Sequence, residues 1–253
     1  MAVMTLLTDF GLDDTYVGQM KGAILTVAPS VTLVDLTHAV PPQDVFAGAF
    51  LLWSAVEPFP SGTIHVAVVD PGVGSARRAV AIRSGRGDVF VGPDNGLLWP
   101  ALERLGGCEQ AIELNEAKFW RNEVSSTFHG RDLFGPIAGH LANGVPLDQL
   151  GGYIDDPVKL ELPQPRGLAG EVLHVDTYGN LITNLPAASL PPSVVVIVNG
   201  KRAKSAAYYA AVEPGELLAL IGSSGLLEIS ARDTSAAALT GAARGTPVSV
   251  EVV

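Results

Sequence analysis

Thr63-Ile64-His65-Val66-Ala67-Val68-Val69-Asp70-Pro71-Gly72-Val73-Gly74 is the stretch that decides the fold. Thr63 to Val69 is β-branched and apolar along nearly its whole length, which fits a strand buried on both faces, as in parallel sheets. The run stops at Asp70-Pro71 and two glycines follow, so the chain turns where the apolar segment ends. Val3 to Thr8 has the same form and runs into Asp9-Phe10-Gly11, and Val31 to Leu36 reads as another strand. Helical spacing appears between them: Val17, Met20, Ile24, Leu25 and Val27 recur after Tyr16, and Pro29 stops the pattern. Asp44 is placed to cap a helix carrying Val45, Phe46, Ala49, Phe50 and Trp53. Ala79 to Arg83 and Asp88 to Val91 flank Gly85-Arg86-Gly87, which reads as a hairpin, and Leu97 to Leu105 and Phe134 to Leu141 read as helices. Strands alternating with helices over residues 1–160 predict an α/β domain, a mostly parallel sheet flanked by helices.

The character changes after Pro163-Gln164-Pro165-Arg166-Gly167, the best linker candidate. Residues 168–253 hold short strand-like runs: Glu171 to Val175, Leu181 to Thr183, Val194 to Val198, Leu217 to Ile221, Leu226 to Ser230 and Val248 to Val253. Asn199-Gly200 is a strong two-residue hairpin signal. A smaller all-β domain, barrel or sandwich, is expected there.

Of the 253 residues, 47% are hydrophobic and 17% charged, enough to bury a sizeable core. Sixteen Lys and Arg against 26 Asp and Glu leave a formal charge of −10, which opposes a general nucleic-acid footprint. The single cysteine, Cys108, excludes an internal disulfide framework and any multi-thiolate metal site, and fits a reducing compartment. The N-terminal run Ala2 to Leu7 lacks a basic leader and meets acids at once, so it reads as a buried strand rather than a signal peptide. The longest apolar stretch, Val45 to Val56, is too short to span a bilayer. A soluble cytoplasmic protein without membrane contact is expected.

In an open parallel sheet, ligands bind outside the carboxyl ends of the strands. Three polar turns fall at such ends: Thr8-Asp9-Phe10-Gly11, extended by Asp13 and Asp14; Asp70-Pro71-Gly72-Val73-Gly74, followed by Arg77 and Arg78; and Pro93-Asp94-Asn95-Gly96. Ser125-Ser126-Thr127-Phe128-His129-Gly130-Arg131-Asp132 precedes an apolar helix. Turn chemistry alone accounts for Asp or Asn beside Gly, and fully so at Pro93 to Gly96. His38 and His65, beside strand runs, read as ordinary core or surface histidines. The Asp70 loop lacks the Gly-Lys-Ser/Thr ending of a phosphate loop, and Asp132 reads as a helix cap with Arg131 as its surface partner. Asp9, Asp70 and His129 are of metal-ligating type. No His-x-x-x-His or Asp-x-Asp pair supports that, and Arg77 and Arg78 beside Asp70 point to an oriented ion pair, so no metal is assigned.

Taken in order, these turns with Asp176-x-x-Gly179-Asn180-x-x-Thr183-Asn184 and Gly222-Ser223-Ser224-Gly225 resemble the S-adenosylmethionine hydroxide adenosyltransferases, adenosine-forming hydrolases related to the fluorinases and chlorinases. The resemblance runs from about residue 4 to about residue 235. It implies an α/β domain followed by a β-barrel, assembled as a homotrimer with active sites at subunit interfaces. It further implies cleavage of S-adenosylmethionine to adenosine and L-methionine by water or hydroxide at the ribose C5′, with no cofactor. The family's Asp–Arg–His set falls on Asp70, Arg77 and His129, and its ribose carboxylate on Asp9. Asp14, Thr127 and Gly130 match positions lining that pocket. Asp176 and Ser223 match groups holding the methionine moiety, with Glu228 a further candidate there. Asn180 matches an adenine-edge contact, and Tyr178 and Tyr209 the aromatics of the pocket. Asp70 and His129 depart from the halogenases, as do Gln43, where fluorinase has a tryptophan, and Ser224, where it has an arginine. A SAM-dependent halogenase of chlorinase type and a non-catalytic adenosine-binding trimer are the alternatives.

Overall fold

The computed structural model describes residues 2–252. The chain divides into two compact units, Met1–Glu161 and Leu162–Val253. The first contains β1 (Val3–Thr8), α1 (Tyr16–Val27), β2 (Thr32–Thr37), α2 (Val45–Ala55), β3 (Ile64–Val68), β4 (Ala79–Ser84), β5 (Val89–Pro93), α3 (Trp99–Arg104), β6 (Cys108–Glu113), α4 (Gly135–Ala142) and β7 (Gly152–Tyr153). Its strands form one sheet in the order β2-β1-β3-β5-β4-β6-β7.

Alternation along the strands sends successive side chains to opposite faces. Met4, Leu6, Val66 and Val68 join Met20 and Ile24 of α1 and Ile137 and Ala138 of α4 in one core. Leu7, Ala67, Val69 and Phe90 join Ala49 and Leu52 of α2 and Ala101 and Leu102 of α3 in another. The sheet is thus covered on both sides, which explains why β3 is buried at every position. Asp44 caps α2, its Oδ1 accepting from the Ala47 N–H at 3.0 Å.

The expectation of a mostly parallel sheet needs correction. β1 pairs in parallel with β2 and β3, and β3 with β5, but β4–β5, β4–β6 and β6–β7 are antiparallel. The sheet is mixed. The cause is the short Gly85-Arg86-Gly87 turn, which can only return the chain antiparallel.

The second unit comprises β8 (Ala169–Val175), β9 (Leu181–Pro186), β10 (Val194–Val198), β11 (Lys201–Ser205), β12 (Leu217–Ile221), β13 (Leu226–Ala231), α5 (Ala236–Thr240) and β14 (Pro247–Val252). The strands close into a barrel in the order β10-β11-β12-β13-β9-β8-β14. Val172, Leu181, Val196, Ala219 and Ile229 fill its interior. Asn199-Gly200 makes the β10–β11 turn, with Asn199 in the left-handed region at φ 46°. One short helix, α5, interrupts the all-β reading; Ser235 caps it, and the turn that follows leads into β14. Val253, which closes the last strand of the sequence reading, lies outside the described residues. Among the described residues no helix is long and apolar enough to cross a membrane.

One buried ionic cluster ties β1, β3 and the β4–β5 turn together. The Thr5 hydroxyl and His65 Nδ1 are 2.7 Å apart, and the His65 ring stacks on Phe90 with centroids at 4.9 Å. Burial lowers the His65 pKa, so the imidazole is neutral. Its Nε2 stands 3.6 Å from Asp88, longer than a hydrogen bond, so Arg86 is the stronger partner: Nε and Nη2 donate to Asp88 at 2.7 and 3.0 Å. Burial pushes the Asp88 carboxyl up, but these partners outweigh it and hold its pKa at about 2. A carboxyl depressed on folding contributes stability that is full above its unfolded value, near 3.8, and is lost as pH falls through 2. Asp88→Asn is therefore expected to lower stability by about 2 kcal/mol at pH 7. Urea unfolding at pH 7, 4 and 2.5 should show the deficit narrowing at the acid end; an equal deficit at all three would contradict it.

Candidate active site

β1 and β3 are adjacent and parallel, with Thr8 opposite Val68, so the turns that begin at Asp9 and Asp70 leave the sheet side by side. The segment before α4 meets both. Phe128 packs edge-on against Phe10 and Tyr16, with centroids at 5.6 and 5.3 Å. Gly74 approaches Ser126 so closely that a Cβ there would overlap the Ser126 carbonyl oxygen, and its φ of +76° is itself a glycine conformation. Asp132 is fully buried and is not a helix cap. It accepts from Arg131 Nε at 2.7 Å and from the Ser125 N–H at 2.9 Å, which fastens the start of this segment to its end. The chain then passes through a π-helical turn over Gly130–Phe134, where the Gly135 N–H reaches back to the Gly130 carbonyl. Such an extra residue re-aims the side chains before it, His129 among them.

Three side chains meet there. Arg77 Nε lies 3.0 Å from each Asp70 carboxylate oxygen, and Nη2 donates to Oδ2 as well. The pair is well shielded, with 6% of Asp70 and 12% of Arg77 exposed. Phe134 lies beneath the guanidinium, 5.3 Å from Cζ to the ring centroid. Arg77 Nη2 is also 2.8 Å from His129 Nδ1. A guanidinium only donates, so Nδ1 must accept, and the proton of the neutral ring sits on Nε2. Burial first, and then the Arg77 charge, lower the His129 pKa, and the Asp70 and Asp132 carboxylates oppose this only in part. The ring is a neutral Nε2–H donor.

Asp9 is partly buried, and its Oδ2 accepts from the Gln43 N–H at 2.8 Å, with Gln43 held at φ 65°. Asp14 and Thr127 are exposed; the Thr127 hydroxyl is 3.0 Å from that of Ser125. Gly130 is buried, and a Cβ there would stand 3.1 Å from the Phe10 ring, so a larger residue would have to push that ring aside. Asp94 and Asn95 hold loops: Asp94 accepts from Arg78 and from the Val158 N–H, and Asn95 donates to the Val69 carbonyl. Among the described residues no three His, Cys, Asp or Glu side chains converge to hold a metal ion.

The barrel gathers the other candidates. Asp176 Oδ1 accepts from the N–H groups of Tyr178 and Asn180, each at 2.9 Å, and Oδ2 accepts from Asn180 Nδ2 at 2.9 Å. Asp176 thereby orients the nearly buried Asn180 amide. The Tyr209 hydroxyl donates to Glu228 Oε1 at 2.8 Å, as does Ser230 at 2.7 Å. Burial and then this bond push the Tyr209 phenol up to about 12. Tyr178, Asn180, Tyr209, Arg232 and Ser235 line a cleft of about 750 Å³. Tyr178 is 80% exposed beside it. Ser223 is exposed on the β12–β13 turn, next to Gly222, which lies against Glu228. Sequence reading missed the cation–π seat at Phe134 and the backbone N–H of Gln43. Neither leaves a local signal, because each acts across a long stretch of chain.

The first unit thus carries an Asp–Arg–His cluster at the carboxyl edge of a covered α/β sheet, and the second an aromatic cleft on a small barrel. The chain belongs to the SAM hydroxide adenosyltransferase family: the N-terminal domain model matches residues 4–151 and the C-terminal domain model residues 170–249. It is 40% identical over 249 residues to the (R)-S-adenosyl-L-methionine hydrolase of Salinispora tropica, covering 96% of this chain and 95% of that one. The fluorinase of Actinoplanes sp. is more distant, 32% identical with 74% of this chain covered. The crystal structure of an uncharacterized conserved protein from Thermotoga maritima superposes with a TM-score of 0.92 at 34% identity, over 98% of this chain and 100% of that one.

The Gly74–Ser126 approach can be tested directly. Gly74→Ala adds steric overlap to backbone strain, whereas Gly11→Ala, at φ +68° with open space around it, adds strain alone. Thermal unfolding should show Gly74→Ala destabilised by about 2–4 kcal/mol and Gly11→Ala by about 1–2. Equal losses would mean that the two segments do not press together.

Proposed function

We propose that this protein hydrolyses S-adenosylmethionine to adenosine and L-methionine by direct attack of water on the ribose C5′. The observation that carries the reading is the Arg77 fork, which faces the Asp70 carboxylate and an accepting His129 Nδ1 at once. A hydrolase needs an oriented water, and this cluster offers it a carboxylate acceptor and an imidazole N–H donor. The oxygen forms its bond to C5′ as the C5′–S⁺ bond breaks. The electron pair leaves with sulfur as a neutral thioether, so the leaving group needs neither a proton nor a Lewis acid. Asp70 receives the proton that the water loses and releases it to solvent. His129 Nε2–H fixes the orientation of the water, and Arg77 keeps Asp70 in place. Positive charge on sulfur disappears in the transition state, so a dry pocket favours reaction. The name of the 40% identical Salinispora protein supports the same substrate.

Asp9 takes the ribose diol, because a carboxylate accepts two hydroxyl hydrogen bonds together. Asp14, Thr127 and Gly130 line the same end. Asn180, oriented by Asp176, meets the adenine edge between Tyr178 and Tyr209, and Asp176, Ser223 and Glu228 face the methionine. In this reading residues 1–160 activate the nucleophile and residues 168–253 hold the substrate. The chain works as a homotrimer, one subunit's α/β domain facing its neighbour's barrel, in a reducing cytoplasm that suits its lone Cys108. Asp70 and His129 favour water over halide.

Mass spectrometry of a reaction with S-adenosylmethionine and chloride in ¹⁸O-labelled water, with a metal chelator present, tests this. The expected products are ¹⁸O-adenosine and free methionine. 5′-Chloroadenosine as the main product would make the protein a halogenase. Absence of turnover, with adenosine carried through purification, would make it a binding protein.

A further inference from the structure

His38 does not belong to the cluster above, yet it is buried at the carboxyl end of the sheet, with 2% of its side chain exposed. A buried imidazole is unfavourable unless its nitrogens are used. Its Nδ1 is 2.8 Å from the Thr8 hydroxyl, and its Nε2 is 3.1 Å from Asp35 Oδ1, without the alignment of a full hydrogen bond. Lys21 Nζ donates to the other Asp35 oxygen at 2.6 Å. Burial raises the Asp35 pKa, but its Lys21 and His38 contacts outweigh that and lower it, so the carboxylate is ionised. An ionised carboxylate facing Nε2 places the ring proton there, which leaves Nδ1 to accept from Thr8. Thr8 Oγ1 in turn accepts from the Phe10 N–H at 3.2 Å. The donors therefore point one way from the Phe10 amide through Thr8 and His38 to Asp35, where Lys21 donates from the other side.

That amide is the residue after Asp9. The His38 backbone fastens the same turn a second time, its carbonyl accepting from the Gly11 N–H at 2.8 Å. Five residues on, the Gln43 N–H holds Asp9 Oδ2. Asp9 is thus bracketed on both sides by groups that His38 and its own segment hold. We propose that His38 is a positioning residue, which through Thr8 holds the Asp9 carboxylate in the orientation that receives the ribose diol. This rests on the reading of Asp9 as the ribose carboxylate. His65 supplies an internal contrast: it makes the same imidazole–threonine contact, with Thr5, but touches no turn of the site.

The test is binding of adenosine and of 2′,3′-dideoxyadenosine to the full chain, by calorimetry. Loss of the Asp9 orientation should weaken only the ligand that has the diol. Thr8→Val and His38→Phe are expected to weaken adenosine about tenfold, the size of one or two good hydrogen bonds, and to leave dideoxyadenosine unchanged. His38→Asn, whose Oδ1 stands in for Nδ1, should restore most of the preference. His65→Phe should lower thermal stability and leave the preference intact. If Asp9→Ala abolishes the preference while Thr8→Val and His38→Phe keep it, His38 is a core histidine only and the ribose reading stands. If Asp9→Ala keeps the preference, the ribose reading fails and the proposal with it. Thr8→Val, nearly isosteric, decides the matter should His38→Phe not fold.

Discussion

A guanidinium can donate hydrogen bonds but never accept one, and the candidate site depends on that asymmetry. Arg77 places one donor fork against Asp70 and turns the same Nη2 toward His129. Both partners must then present lone pairs. Asp70 is held as an acceptor, and His129 is held neutral with its proton on Nε2, because a second proton on Nδ1 would face a cation. Arg77 touches both groups. With it, one is an acceptor and the other a donor, a division of roles that suits a water molecule.

The rest of the first unit keeps those three groups in register. Parallel pairing of β1 with β3 sends two polar turns off the same edge. The Phe10–Phe128 contact and the Gly74–Ser126 approach press the segment before α4 against both turns. Buried Asp132 then gathers Arg131 and the Ser125 amide, so His129 sits on a short stretch fixed at each end. The barrel solves a different problem. It uses one carboxylate, Asp176, to orient one amide, Asn180, beside two tyrosines.

Much of this was legible in the sequence where the signal is local. The β-branched run ending at Asp70, the spacing from Tyr16 to Val27, the Asp44 cap and the Asn199-Gly200 turn each occupy a few neighbouring residues, and each forms the expected element. The sheet is mixed rather than mostly parallel because the glycine turn at 85–87 returns β5 antiparallel to β4, and β6 and β7 also pair antiparallel. β6 carries little apolar signal: Cys108-Glu109-Gln110 is exposed or half-exposed, and only Ala111 and Ile112 are buried. Side-chain pairs between distant residues leave no local signal. His38 meets Thr8 across 30 residues and Arg77 meets His129 across 52, and neither pair has a periodicity to betray it. The order of the motifs suggested which residues belong together; the tautomers came from geometry.

The state of His129 is the most direct test of this account. Nuclear magnetic resonance of protein labelled with ¹⁵N-histidine, with the His129→Gln variant used for assignment, reads which ring nitrogen carries the proton. Between pH 7 and 8 the ring should be neutral, with Nδ1 bare and Nε2 protonated, and the Nδ1 signal should shift on replacing Arg77 with methionine. A proton on Nδ1, or an imidazolium in that range, would contradict it.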